Sequence, residues 1–203
     1  MRTLLSLLLL LVAAPGFSQG TAPDVLVKDI TMEVIAIIKQ DKDIQAGDSK
    51  KISALVEQKI LPHFNFVRMT QIAVAVNWRR ATPEQQKQLT EQFKTLLVRT
   101  YSNALSLYRD QVISFKPLRA RPEDTDVTVR SEIKQTGAAA MTLDYDMEKT
   151  PNSWKVYDIK VGGVSLITTY REDFAGQIRA GGVDGLLKAL VSKNRQLEAK
   201  ART

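Results

Sequence analysis

No cysteine occurs among the 203 residues, and histidine occurs once. The first absence excludes disulfides, thiol catalysis, thiolate metal sites and the lipidated cysteine that would anchor a lipoprotein. The second leaves His63, just after Pro62, with no partner for a catalytic dyad or a metal cluster, so it is expected to cap helix carbonyls or face solvent. No segment after the first dozen residues approaches the about 20 apolar residues that a membrane-spanning helix needs. A phosphate-cradling glycine loop is also lacking, because GGVDG at 181–185 has the wrong spacing and lies between two predicted helices. GGVSL lacks the second glycine of a nucleophile elbow, so Ser165 reads as a helix cap. Asp124 and Asp126 lack the glycine and glutamate of a calcium loop and read as a turn, and Asp144, Asp146 and Glu148 read as the solvated face of a strand. No cofactor and no metal are expected.

What is present begins with an address. Arg2 and the terminal amine precede a nine-residue apolar stretch, Leu4 to Val12, and then Pro15, Gly16 and Ser18. This is the pattern of a cleavable secretory signal over residues 1–18, followed by one domain over 19–203. Loss of Arg2 takes the formal charge from +7 to +6, which favours anionic lipid or acidic protein surfaces. Nucleic acid is a poor fit, since the basic residues are interspersed with acids and carry no aromatic interleaving.

The apolar period is helical first and two-fold later. Leu26, Ile30, Val34, Ile37 and Ile38 predict a helix to about Lys39, which QDKDIQAGDSK then breaks. Ile52, Leu55, Val56, Ile60 and Leu61 share a second helical face limited by Pro62. The apolar run from His63 to Trp78 predicts a third helix. Thr82, Pro83 and Gln85 form a helix start, opening a long helix to about Tyr108 with the stripe Leu89, Phe93, Leu96, Leu97, Tyr101, Leu105 and Tyr108. Strands follow at Val112–Phe115, around Val127, Val129 and Ser131, at Met141–Met147, and at Trp154–Val161 after the turn TPNS. Gly162 and Gly163 end the sheet, and two helices, about 165–178 and 183–197, are parted by Gly181 and Gly182. The expected class is α+β, with helices packed around an antiparallel sheet of about four strands. A curved sheet with helices across its open side permits an enclosed apolar pocket, although periodicity alone does not separate a filled core from a hollow one.

Two stretches carry a family resemblance. HFNFVRMTQIAVAVNWRRATPEQQKQLTEQFKTLLVRTYSNAL and WKVYDIKVGGVSLITTYREDFAGQI place Phe64, Phe66, Trp78, Phe93, Leu97, Tyr101, Asp158, Gly163, Val164, Ser165, Leu166, Tyr170, Arg171 and Phe174 in a set order. That order resembles the MlaC family, also called the toluene-tolerance Ttg2D family, of periplasmic phospholipid-binding proteins. Ala75 stands near a position where that pattern leads us to expect glycine. Glu172 and Asp173 precede Phe174 where glutamine is commoner.

The resemblance implies lipid tails held inside the fold with the headgroup near a mouth. Its implied partners are an inner-membrane, ATP-driven (ABC-type) lipid importer complex and an outer-membrane lipoprotein complex. A monomeric carrier would shuttle glycerophospholipid through the periplasm between them and maintain outer-membrane lipid asymmetry. Joined to the apolar faces above, it places the pocket lining at Val74, Trp78, Phe93, Leu97, Tyr101, Val129, Met141, Leu143, Tyr145, Val164, Leu166, Ile167, Tyr170 and Phe174. Arg79, Arg80 and Arg171 are the candidates for the headgroup or a docking surface. A rival is an exported enzyme with a polar pocket built on Tyr101, Tyr145, Asp144 or Asp158, which predicts paired acids inside the cavity. A ligandless adaptor predicts no cavity.

Overall fold

Pro23 supplies the fixed φ that opens helix α1 (Pro23–Gln40), whose buried stripe includes Val27, Val34 and Ile38. The computed structural model describes residues 21–201, so the predicted leader and its cleavage site lie outside the described residues. The polar stretch after α1 does not stay open. Asp41 accepts from the amides of Asp43 and Ile44 at 2.9 and 3.2 Å, which starts the single turn α2 (Lys42–Gln45) and buries Ile44. Asp48 caps α3 (Ser49–Leu55) in the same way through Lys50 and Lys51.

Three predicted helices are shorter or less regular than their periodicity suggests. The second is α-helical only to Leu55, widens into a π turn over Val56–Ile60, and tightens into a 3₁₀ turn at Leu61–His63, where Pro62 lacks the N–H that would continue it. The third starts later than expected. Asn65 accepts from the Arg68 amide at 3.0 Å and caps α4 (Phe66–Val74), while Phe64 remains extended. It also ends early, because Ala75 has φ 53° and ψ −130°, and Ala75–Arg80 continues as 3₁₀. The fourth, α5 (Pro83–Tyr101), opens on the expected Thr82–Gln85 capping box but stops seven residues short of Tyr108. Thr100 and Ser102 turn their hydroxyls back onto the carbonyls of Leu96 and Val98 at 2.7 and 2.6 Å, and Ser102–Leu107 is 3₁₀.

Ala75 is the sole non-glycine residue with positive φ among the described residues, and it sits near where the family resemblance leads us to expect glycine. Holding a Cβ in that region costs on the order of 1–3 kcal/mol. Ala75→Gly is therefore expected to stabilise the fold by about 1 kcal/mol after glycine's greater unfolded-state freedom is subtracted, and to raise the melting temperature by about 2–4 °C. Thermal unfolding of the two proteins checks this, and a lower melting temperature for the glycine variant would count against strain at this position.

The sheet is an antiparallel meander in the order β1 (Val112–Phe115), β2 (Asp126–Lys134), β3 (Met141–Lys149), β4 (Trp154–Val161) and β5 (Val164–Ser165). Among the described residues the sheet has five strands, against the about four expected. Gly162 and Gly163, expected to end the sheet, adopt φ 58° and 83° and turn the chain back into β5. Strand β4 carries one extra residue: Asp146 opposes Asp158 while Met147 opposes Val156, which leaves Tyr157 as a bulge. The chain closes with α6 (Arg171–Lys200), broken at Gly181 and Gly182 as predicted; residues 165–170, read as the start of a helix, instead complete β5 and a 3₁₀ turn.

Three apolar clusters result among the described residues. One joins α4, α5 and α6 through Met69, Phe93, Leu97, Phe174 and Leu186. A second joins α1, α2 and α3 through Val34, Ile38, Ile44, Ile52 and Leu55. The third lies on the inner sheet face, where Val129, Met147, Trp154 and Val156 meet Val27 of α1. Among the described residues, no helix is long and apolar enough to cross a membrane.

Candidate functional site

An apolar cavity of about 160 Å³ lies where the three clusters meet. The π turn and the tail of the second helix give Val56, Ile60 and Leu61; α4 and the residue pair before it give Phe64, Phe66 and Met69. Helix α5 and its 3₁₀ extension give Leu97, Val98, Tyr101, Ser102 and Leu105, and the sheet side gives Ile159, Leu166 and Ile167. The polar groups in this lining are the Tyr101 and Ser102 hydroxyls, and Ser102 already donates to Val98. Tyr101, which is 39% exposed, is the one exposed side chain of the lining. Such a site holds apolar chains by dispersion and exclusion of water, with little means to select among them.

The acids of the sheet lie on its other face. In the strand register, Tyr145 and Ile159 share the inner face with Val129, while Asp144, Asp146 and Asp158 alternate to the outer one. There they are paired rather than merely solvated. Arg68 bonds Glu148 at 2.7 Å and Asp126 at 2.6 Å, with its guanidinium 3.6 Å from the centre of the Tyr157 ring. Lys160 meets Asp146 at 2.6 Å, and Arg130 meets Asp144 at 4.0 Å. The lining of the cavity contains no carboxylate. Burial pushes the Tyr145 hydroxyl up to about 12, although Thr31 and Ser131 hydrogen-bond it. His63 is half-buried, and burial together with the nearby Lys155 charge holds it below its ordinary value. Among the described residues, no group of three acids or histidines is placed to hold a metal ion.

The MlaC protein family model matches residues 28–192. The chain belongs to the MlaC family. A toluene tolerance protein, ttg2D of Pseudomonas putida, is 26% identical over 180 residues, covering 88% of this chain and 83% of the relative. The intermembrane phospholipid transport system binding protein MlaC of Haemophilus influenzae is 23% identical over 170 residues, covering 82% and 79%. The solved structure of the phospholipid-binding protein from Ralstonia solanacearum in complex with a phospholipid matches with a TM-score of 0.81 at 46% identity, covering 88% of this chain and 99% of that one. The α+β class read from the sequence agrees with this neighbour.

Of the side chains the sequence placed at the pocket, this MlaC-family structure sets Leu97, Tyr101, Leu166 and Ile167 on the cavity. Val74, Phe93 and Phe174 are buried in the α4–α5–α6 cluster, with Trp78 and Tyr170 packed against it. Val129 and Tyr145 belong to the inner sheet cluster, Leu143 is half-buried, and Met141 and Val164 are exposed. Arg79 and Arg80 are exposed on the 3₁₀ segment after Ala75, whereas Arg171 is exposed but donates from Nε to the Ile72 carbonyl at 2.8 Å. Ten further side chains line the cavity, Phe64 and Phe66 among them. Those two stood in the family-like stretch, which was the available signal; Val56, Ile60 and Leu105 sat on helical stripes that read as ordinary core.

Proposed function

We propose that this MlaC-family chain is a periplasmic carrier that takes the acyl tails of a glycerophospholipid into the apolar cavity and shuttles the lipid between inner- and outer-membrane complexes of the Mla type. The observation that carries the reading is the cavity itself, with its apolar lining and the exposed Tyr101 at its edge. The 46% identical neighbour, solved with a phospholipid, supports it. Export over residues 1–18 and action as a monomer free in the periplasm belong to the same proposal, as do a role in outer-membrane lipid asymmetry and the absence of a catalytic or cofactor requirement. Arg79, Arg80 and Arg171 are proposed to meet headgroups or docking surfaces, and the remaining sequence-assigned side chains to bear on the tails as the cavity enlarges.

Magnitudes shape the mechanism. A cavity of about 160 Å³ falls below the about 300–1,000 Å³ of sites enclosing drug-sized ligands, so two acyl chains require the walls to part. About 30 methylenes at about 0.8 kcal/mol each nominally release about 24 kcal/mol from water, above the about 18–21 kcal/mol ceiling of non-covalent binding. A bilayer offers the tails a similar gain. The carrier therefore needs only to match a membrane, and its partners must set the direction.

Protein purified from the periplasm without detergent is expected to carry phospholipid, seen by native mass spectrometry and by extraction with chromatography. Lipid-free protein from that source would overturn the reading.

A further inference from the structure

Strand β4 holds two walls of the cavity, one on each side of its bulge. Before the bulge, the Val156 carbonyl accepts from the Asn65 amide at 2.8 Å, next to the Phe64–Val156 bridge, and so carries the Phe64 and Phe66 wall. Arg68 ties that wall further to Glu148 and Asp126. After the bulge, Asp158 is 5% exposed and lies beneath the β4–β5 turn. Its Oδ2 accepts from Ser165 Oγ at 2.5 Å, and its Oδ1 accepts from the Ile167 amide at 3.4 Å. The neighbouring Ile159 carbonyl accepts from the Leu166 amide at 2.8 Å. Leu166 and Ile167 line the cavity, and Asp158 does not.

We infer that Asp158 is a positioning residue for the tail site, fixing the Leu166–Ile167 wall through Ser165 and the Ile167 amide without touching the ligand. The chemistry suits the task, because one short side chain with two acceptors reaches a hydroxyl and an amide together. Ser165 passes the constraint on, since its Oγ also accepts from the Thr168 amide at 2.9 Å. The turn itself supplies little rigidity, being built on two glycines with positive φ. Burial pushes the Asp158 carboxyl above its ordinary range, against the lowering effect of these hydrogen bonds. A buried acid is kept where its acceptors are used. Asp146 is the natural control. It opposes Asp158 across the strands and is similarly buried, yet its partners are Lys160 and Thr128 and it bonds no lining segment.

The geometry stands alone, while its consequence for ligand rests on the carrier reading, so the test measures both. Hydrogen exchange of Asp158→Ala is expected to quicken about tenfold at the amides of Leu166, Ile167 and Thr168, with 66–74 unchanged. Co-purifying phospholipid should fall severalfold. Asp158→Asn, which keeps one acceptor, should recover part of both effects, and Asp146→Ala should lower the melting temperature while leaving the 166–168 amides and the lipid content as in the wild type. Equal quickening in 66–74 and 166–168, or wild-type lipid content in Asp158→Ala, would overturn the inference. Should Asp158→Ala fail to fold, Ser165→Ala removes the same link and is judged by the same criteria. A wild-type protein without lipid defeats the carrier reading, and the exchange pattern then decides this inference by itself.

Discussion

Replacing Phe93 by alanine is expected to cost about 3–5 kcal/mol of folding stability, a large share of the about 5–15 kcal/mol that a domain possesses. The ring is 0% exposed and sits edge-on to Tyr170 and to Phe174, each with centroids 5.1 Å away. Tyr170 and Phe174 are themselves 5.5 Å apart, so the three rings close on one another and join α5 to the start of α6. Truncation removes both edge-to-face contacts and leaves a void that rigid helices do not collapse to fill. At about 2–4 °C per kcal/mol for a chain of this size, the melting temperature should drop by at least about 6 °C. Denaturant unfolding measures the loss, and a value under about 1 kcal/mol would show that the cluster repacks around the missing ring.

The second large effect concerns ligand rather than folding. Leu166→Glu is expected to lower phospholipid content about a hundredfold, equivalent to about 3 kcal/mol, while melting changes little. Leu166 lines the cavity but is only half-buried, so in an empty protein the new carboxylate can reach water. Acyl tails would strip that water and leave a charge facing hydrocarbon. Lipid extraction set beside thermal unfolding separates the two outcomes; wild-type lipid content would place the tails elsewhere.

The fold class was legible because long amphipathic stripes and two-residue alternation are both driven by burial. The Leu89–Phe93–Leu96–Leu97 stripe is buried in α5, and the alternating Met141–Met147 segment forms β3, although Met141 at its start is exposed and Asp146 is buried. The cavity was less legible for a specific reason. Its walls gather the departures from a 3.6-residue period: the π turn at Val56–Ile60, the 3₁₀ turns at Leu61–His63 and Ser102–Leu107, and the tight chain from Val164 to Tyr170. Periodicity places a residue on a face, but hydroxyl back-bonding at Thr100 and Ser102, or a carboxylate under a turn, decides whether that face closes on a neighbour. Asp158 illustrates the gap. The family-like stretch contained it, yet its work at Ser165 and Ile167 depends on a bulge at Tyr157 that no pattern of apolar residues announces.

A hollow bordered by three clusters, rather than dug into one, separates the residues that set its size from those that hold the scaffold. Residues deep in a single cluster and away from the cavity, such as Leu89 or Ile38, answer to folding alone. Those at the junction also set the room inside the cavity. Changing the partly buried Leu105 would reshape the chamber from the α1–α3 side without disturbing the ring trio, so the chamber can be resized while the scaffold stays the same.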